Sequence, residues 1–183
     1  MTLFYIVISL LIIQRITELI IAKRNEKWVL SRGGVEHGRE HYYLIVTLHV
    51  SFLLALVLET TYFSSGISPL WPVLLPLIIL TQIIRYWAIA SLGYYWNTRI
   101  IIIPDHEVVS KGPYQFMRHP NYVVVAAEIL FLPLLFSAYA TAILFSILNA
   151  FMMLIRIPAE EKALRQHTNY QKAFTNKRRF LPK

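Results

Sequence analysis

Apolar and polar positions alternate in long blocks along this chain rather than with the short period of a soluble helix or strand. Five apolar stretches stand out: Leu3–Ile21, Tyr42–Leu58, Trp71–Leu92, Val123–Phe136 and Ala140–Ile157. A helix needs about 20 mainly apolar residues to cross a bilayer, and the first three stretches meet or approach that length. The fourth is shorter and contains Pro133. Only Ser137–Tyr139 separates it from the fifth, so the last two are expected to form a tight helical hairpin. The pattern predicts an all-α integral membrane protein of about five transmembrane helices. The expected organisation is a single domain over residues 1–183, with a three-helix N-terminal part (1–92) and a cofactor-binding and catalytic part (93–183).

Composition supports lipid as part of the solvent. Of the 183 residues, 56% are hydrophobic and 15% charged, against about 25% charged in an ordinary soluble domain. The net charge of +8 would suggest nucleic acid in a soluble protein, but its placement points elsewhere. Lys23, Arg24, Lys27, Arg32 and Arg39 lie between the first two stretches. Arg99, Lys111 and Arg118 follow the third, and seven further Lys and Arg residues follow the fifth; Glu59–Leu70 has none. All loop cations therefore fall on one side of an alternating arrangement. The positive-inside rule places that side in the cytoplasm and the N-terminus outside. A soluble bundle has no reason to alternate in this way. The first stretch lacks the basic start and the small-residue cleavage site of a signal peptide and reads as a span.

Cysteine is absent, which removes disulfides, thiol nucleophiles and Cys-based zinc sites. GxGxxG, P-loop and GxSxG patterns are also missing, so a Rossmann enzyme, an NTPase and a serine hydrolase lack their basic equipment. His106, Glu107 and His119 match no standard zinc spacing, and no metal site is expected.

Candidate chemistry gathers in two places on the cytoplasmic side. Tyr94–Tyr122 is rich in Gly, Pro, His, Tyr and Asn, with a turn signal at Lys111-Gly112-Pro113-Tyr114 and Pro120 suited to the first turn of the next helix. It offers the donors and aromatic faces that hold a nucleoside cofactor; a turn-rich connector is the other reading. The run Arg156–Glu161, RIPAEE, puts Arg156 and Glu160 one helical turn apart, with Asn149 on the same face. Pro158 predicts a kink or a fresh helix start. An ionisable group at such a depth marks function by default, while a snorkelling anchor is its ordinary alternative. Arg85 reads as a snorkelling residue near the inner interface, Arg15 and Glu18 as mutually neutralising. Glu128 suits either a basic neighbour or a cavity wall.

GPY, RHPNY, an apolar hairpin, RIPAEE, Leu164, Tyr170 and RFLP (Arg179–Pro182), in this order, resemble the isoprenylcysteine carboxyl methyltransferase family of integral membrane enzymes. The segment Arg24–Tyr42 is similar to that of bacterial members. The resemblance implies an S-adenosylmethionine-dependent O-methyltransferase with its cofactor site at the cytoplasmic face. It implies cofactor contacts from His106, Glu107, Val108, Val109, Tyr114, His119, Pro120, Asn121, Tyr122 and Glu160. Arg156 would orient the acceptor, and Glu160 would be the essential carboxylate beside the cofactor. The acceptor would be a lipophilic molecule arriving from the bilayer, of isoprenylcysteine carboxylate type. Alkylpyrone O-methylation, phospholipid N-methylation and a non-enzymatic membrane scaffold are the alternatives, in that order. The family's second Tyr, three residues after Tyr170, is Ala173 here. Neither nucleic acid nor an obligatory protein partner is expected.

Overall fold

The computed structural model describes residues 2–63 and 66–181; Pro182, the last residue of the RFLP motif, and Lys183 lie outside them. Six α-helices are present among the described residues: α1 (Thr2–Leu30), α2 (Arg39–Tyr62), α3 (Trp71–Leu92), α4 (Pro120–Leu135), α5 (Tyr139–His167) and the short α6 (Tyr170–Phe174). Four of them, α1, α2, α3 and α5, are long and apolar enough to cross a membrane. At 16 residues and 1.5 Å per residue, α4 reaches only about 24 Å, short of a typical hydrocarbon core. The hairpin expected from the sequence is present: α4 and α5 pack along each other through a turn in which Ser137 takes a positive φ of 56°.

Large apolar side chains on α1, α2, α3 and α5 point outward over most of their length, as in a bundle whose surroundings are lipid. Leu56, Phe4, Phe136, Ile129 and Phe145 close the core at the end of the bundle nearest the α4–α5 turn. There Glu59 accepts hydrogen bonds from the Ala140 and Thr141 amides at 2.9 and 2.6 Å. A carboxylate thus satisfies the free N–H groups that begin α5 and meets the positive end of its dipole.

The opposite end carries the loops. Two features there were not expected. Both α1 and α5 continue about ten residues beyond their apolar stretches, since Lys, Glu and Arg are good helix formers outside lipid. Val35–His37 (β1) pairs antiparallel with Ile100–Ile102 (β2), Val35 opposite Ile102. The small sheet packs Ile100 and Ile102 on Ala159, Ala163 and Leu164 of α5. Asn25 of α1, buried, donates to the Gly93 and Trp96 carbonyls at 3.1 and 2.7 Å. These contacts fix the 93–102 segment against both long helices.

Candidate active site

Pro158 does not break α5, which runs unbroken from Tyr139 to His167. Arg156 and Glu160 therefore keep helical spacing, but they do not pair directly. The Tyr122 hydroxyl donates to Glu160 Oε2 at 2.6 Å and accepts from Arg156 Nε at 3.2 Å. Arg156 Nη2 donates to the Thr98 carbonyl beside β2. Among the described residues, Arg156 Nη1 and Glu160 Oε1 have no hydrogen-bond partner. The guanidinium is thus held at two corners and open at a third.

This triad lies on the wall of a cavity of about 460 Å³. The cavity extends from the 96–122 loop region deep between α1, α2, α3, α4 and α5. Val109, Tyr114, His119, Asn121, Tyr122, Arg156 and Glu160 all line it. Tyr114 is buried, and its hydroxyl accepts from Asn121 Nδ2 at 3.0 Å. Burial, reinforced by the Glu160 charge, raises its phenol well above the ordinary tyrosine range. Its turn depends on Gly112, whose φ is 60°; a Cβ there would lie 1.9 Å from Ser91 Oγ of α3. Leu164, Tyr170 and Phe174 complete an aromatic and apolar flank.

The remaining expected site residues lie elsewhere. Pro120 is buried at the first turn of α4 and does not line the cavity. Val108 donates its amide to Asn169 Oδ1 at 2.9 Å. His106 and Glu107 are exposed and line a separate shallow pocket with Asp105 and His167–Asn169. The His106 ring lies 2.6 Å from the Tyr95 hydroxyl. No cluster of metal-ligating side chains occurs among the described residues.

Glu161 carries weight that the sequence did not reveal. It is 2% exposed and accepts from Arg179 Nε and Nη2 at 2.9 and 2.8 Å, and from Arg165 at 3.1 Å. The His119 ring Nε2 lies 3.1 Å from it. The tail is strapped to the RHP segment as well: Arg118 and His119 amides donate to the Arg178 and Arg179 carbonyls, both at 3.0 Å. His119 therefore serves the scaffold through Glu161 while facing the cavity.

Deeper in the bundle, Arg85 does not snorkel. It is 7% exposed and forks onto Glu18, with Nη1 on Glu128 Oε2 at 2.9 Å. Arg15 joins the same two carboxylates at 2.9 and 2.6 Å, and Gln82 donates to Glu128 at 2.6 Å. Two arginines and two glutamates cancel, which is how charge survives at such depth.

The sequence profile of the isoprenylcysteine carboxyl methyltransferase (ICMT) family matches residues 74–166. The chain belongs to this family. The matched region spans most of α3, the loop segment, α4 and nearly all of α5, and so contains the Tyr122–Arg156–Glu160 triad. Members are membrane methyltransferases, and the apolar helices agree with an integral membrane protein. An uncharacterized Bacillus subtilis protein, YpbQ, is 46% identical over 90% of this chain and 98% of its own length. An uncharacterized Haemophilus influenzae protein is 26% identical over 82% of this chain and 88% of its own. The solved structure of a eukaryotic intramembrane Ras methyltransferase ICMT superposes with a TM-score of 0.57 at 23% identity, over 77% of this chain. This chain spans 50% of that one, and the likeness establishes a shared fold.

Proposed function

We propose that this ICMT-family protein is an S-adenosylmethionine-dependent O-methyltransferase that acts on the ionised oxygen of a lipophilic acceptor, of isoprenylcysteine carboxylate type, at the cytoplasmic membrane face. The observation that carries this reading is the Tyr122 hydroxyl joining Arg156 to Glu160 on the wall of a cavity that runs from the loops into the bundle. A water-soluble cofactor and a bilayer-borne acceptor need such a shared chamber.

The residues fit the cofactor. Tyr114, Tyr170 and Phe174 offer aromatic faces, Asn121 an amide, and Glu160 an unpartnered carboxylate oxygen for a cationic group. When bound, S-adenosylmethionine supplies an activated methyl group carried on a sulfonium. An acceptor carboxylate is already ionised at neutral pH, so no side chain has to remove a proton. Arg156, tethered by Thr98 and Tyr122, presents its open edge to orient that oxygen. Glu160 holds Tyr122, and through it Arg156, in register. Leu164, Phe174 and Val109 exclude water from the nucleophile.

Calorimetric titration of S-adenosylhomocysteine into purified, detergent-solubilised protein tests the cofactor site, with and without a farnesylcysteine analogue. Saturable binding is expected, and Arg156→Ala is expected to retain it while abolishing turnover of prenylcysteine and alkylpyrone acceptors. Absence of binding in a folded sample under both conditions refutes the reading.

A further inference from the structure

The methyltransferase reading uses only the loop end of the cavity. Its deeper half mixes apolar side chains, among them Leu11, Phe52 and Leu132, with polar groups that a chamber for a plain hydrocarbon chain would not need. Arg15, Glu18, Gln82, Arg85 and Glu128 line it from α1, α3 and α4, and this network satisfies itself. Two further polar groups on α2 and α5 do not.

Asn149 is 5% exposed and lines the cavity. Its one hydrogen bond joins the amide to the Met153 thioether at 3.3 Å, a weak acceptor; the other end of the amide has no partner among the described residues. His49 also lines the cavity. Its Nδ1 donates to the Ile45 carbonyl at 2.9 Å, which leaves Nε2 as an acceptor without a partner among the described residues.

The two groups share one depth. Helices α2 and α5 pack side by side in opposite directions, and the Phe52 and Phe145 rings meet at 5.6 Å. Toward the loop end, His49 is three residues from Phe52 and Asn149 four from Phe145. The two positions therefore differ by only about 1.5 Å along the helices. His49 lines the same cavity as the deep network and the triad. Asn149 precedes Arg156 by two helical turns, about 10 Å on the same face.

We propose that Asn149 and His49 form a second polar subsite that binds a hydroxyl group of the acceptor about 10 Å from the oxygen held by Arg156. A hydroxyl suits both partners: it donates its one proton to His49 Nε2 and accepts from the second N–H of Asn149 Nδ2, which the Met153 thioether leaves free. The acceptor class is then an amphiphile with two polar positions separated by an apolar spacer. This rests on the reading of Arg156 as the acceptor's anchor.

The test uses two long-chain carboxylic acids of equal length, one plain and one with a hydroxyl about 10 Å from its carboxylate. Both are titrated calorimetrically into the full-length protein in detergent with S-adenosylhomocysteine, and both are assayed for methyl transfer. The hydroxy acid is expected to bind about tenfold more tightly, the size of one good hydrogen bond. Asn149→Leu and, separately, His49→Phe are expected to bring the ratio of the two dissociation constants to within about twofold, thermal unfolding confirming that each variant is folded. Equal binding of the two acids by the unaltered protein overturns the proposal, as does a ratio that survives both substitutions. If the ratio behaves as expected but neither acid is methylated, the subsite stands and the methyltransferase assignment falls.

Discussion

Two adjacent glutamates, Glu160 and Glu161, offer the sharpest test of how this site is built. Their side chains leave α5 about 100° apart, which separates their surroundings. Glu160 faces the cavity and accepts one hydrogen bond, from Tyr122. Glu161 is buried under Arg179, Arg165, His119 and Tyr170. Glu161→Gln removes the charge and turns one acceptor into an NH₂ that faces donors. Hydrogen bonds to a charged group contribute about 1.5–3 kcal/mol each. The Arg179 and Arg165 side chains are 47% and 45% exposed, so water compensates much of their loss. The contacts with His119 and the inner edge of the Arg179 fork are compensated less. The net cost is about 3 kcal/mol, or roughly 6–12 °C in melting temperature for a chain of this size.

Glu160→Gln keeps a carbonyl that still accepts from Tyr122, so its melting temperature is expected within about 2 °C of the parent. Methyl transfer is expected to fall about tenfold or more, the size of one charge-assisted hydrogen bond. Thermal unfolding in detergent, followed by tryptophan fluorescence, reads the first quantity; initial rates read the second. An unchanged melting temperature for Glu161→Gln, or equal destabilisation by both substitutions, refutes the division of roles.

Gly112→Ala forces a Cβ onto Ser91 at a positive φ; weaker S-adenosylhomocysteine binding is expected, and the double variant with Ser91→Ala should recover it only in part, because the backbone strain remains. Tyr122→Phe unties Arg156 from Glu160, and the acceptor KM is expected to rise about tenfold with little change in cofactor affinity. Arg85→Met leaves Glu18 and Glu128 short of positive charge inside the bundle, a loss of about 3–5 kcal/mol; adding Glu128→Gln should restore part of the lost melting temperature. Tyr114 and Tyr170 have phenols raised above the ordinary value of 10.0 by burial and by Glu160 and Glu161 respectively. Their contribution to stability is therefore complete below pH 10 and lost above it, as the unfolded chain ionises first. In an alkaline difference titration against Tyr114→Phe and Tyr170→Phe, the phenolate absorbance that these two residues contribute should appear together with unfolding, and a contribution from either at pH 10 while the protein is still folded would contradict this.

The apolar blocks, the hairpin and the placement of cations were legible because lipid imposes a coarse demand on composition. The ends of α1 and α5 were not, since hydropathy reports contact with lipid and not helicity. The β1–β2 pair was equally hidden: Ile100–Ile102 reads as a strand only once Val35–His37 lies beside it. Within the site, the four-residue spacing of Arg156 and Glu160 was local and visible. The bridging role of Tyr122, thirty-four residues before Arg156, was not. The resemblance marked Tyr122 as a cofactor contact; the structure places it on the cavity wall and, in addition, between two α5 side chains. Arg85 with Glu18 and Glu161 with Arg179 are likewise tertiary pairs, decided by which helix faces meet.

The two charged clusters differ in what surrounds them, and that difference organises the molecule. Around Glu161 the cations are half-exposed, so water shares the load and the strap of the C-terminal tail can be held without a large desolvation cost. Around Glu18 and Glu128 there is no such reservoir, and only an even count of arginines and glutamates makes the burial tolerable. Neutrality allows polar groups to persist deep in the bundle without drawing in counter-ions. The cavity that begins at Arg156 therefore meets paired charges at depth alongside apolar side chains such as Leu11, Phe52 and Leu132.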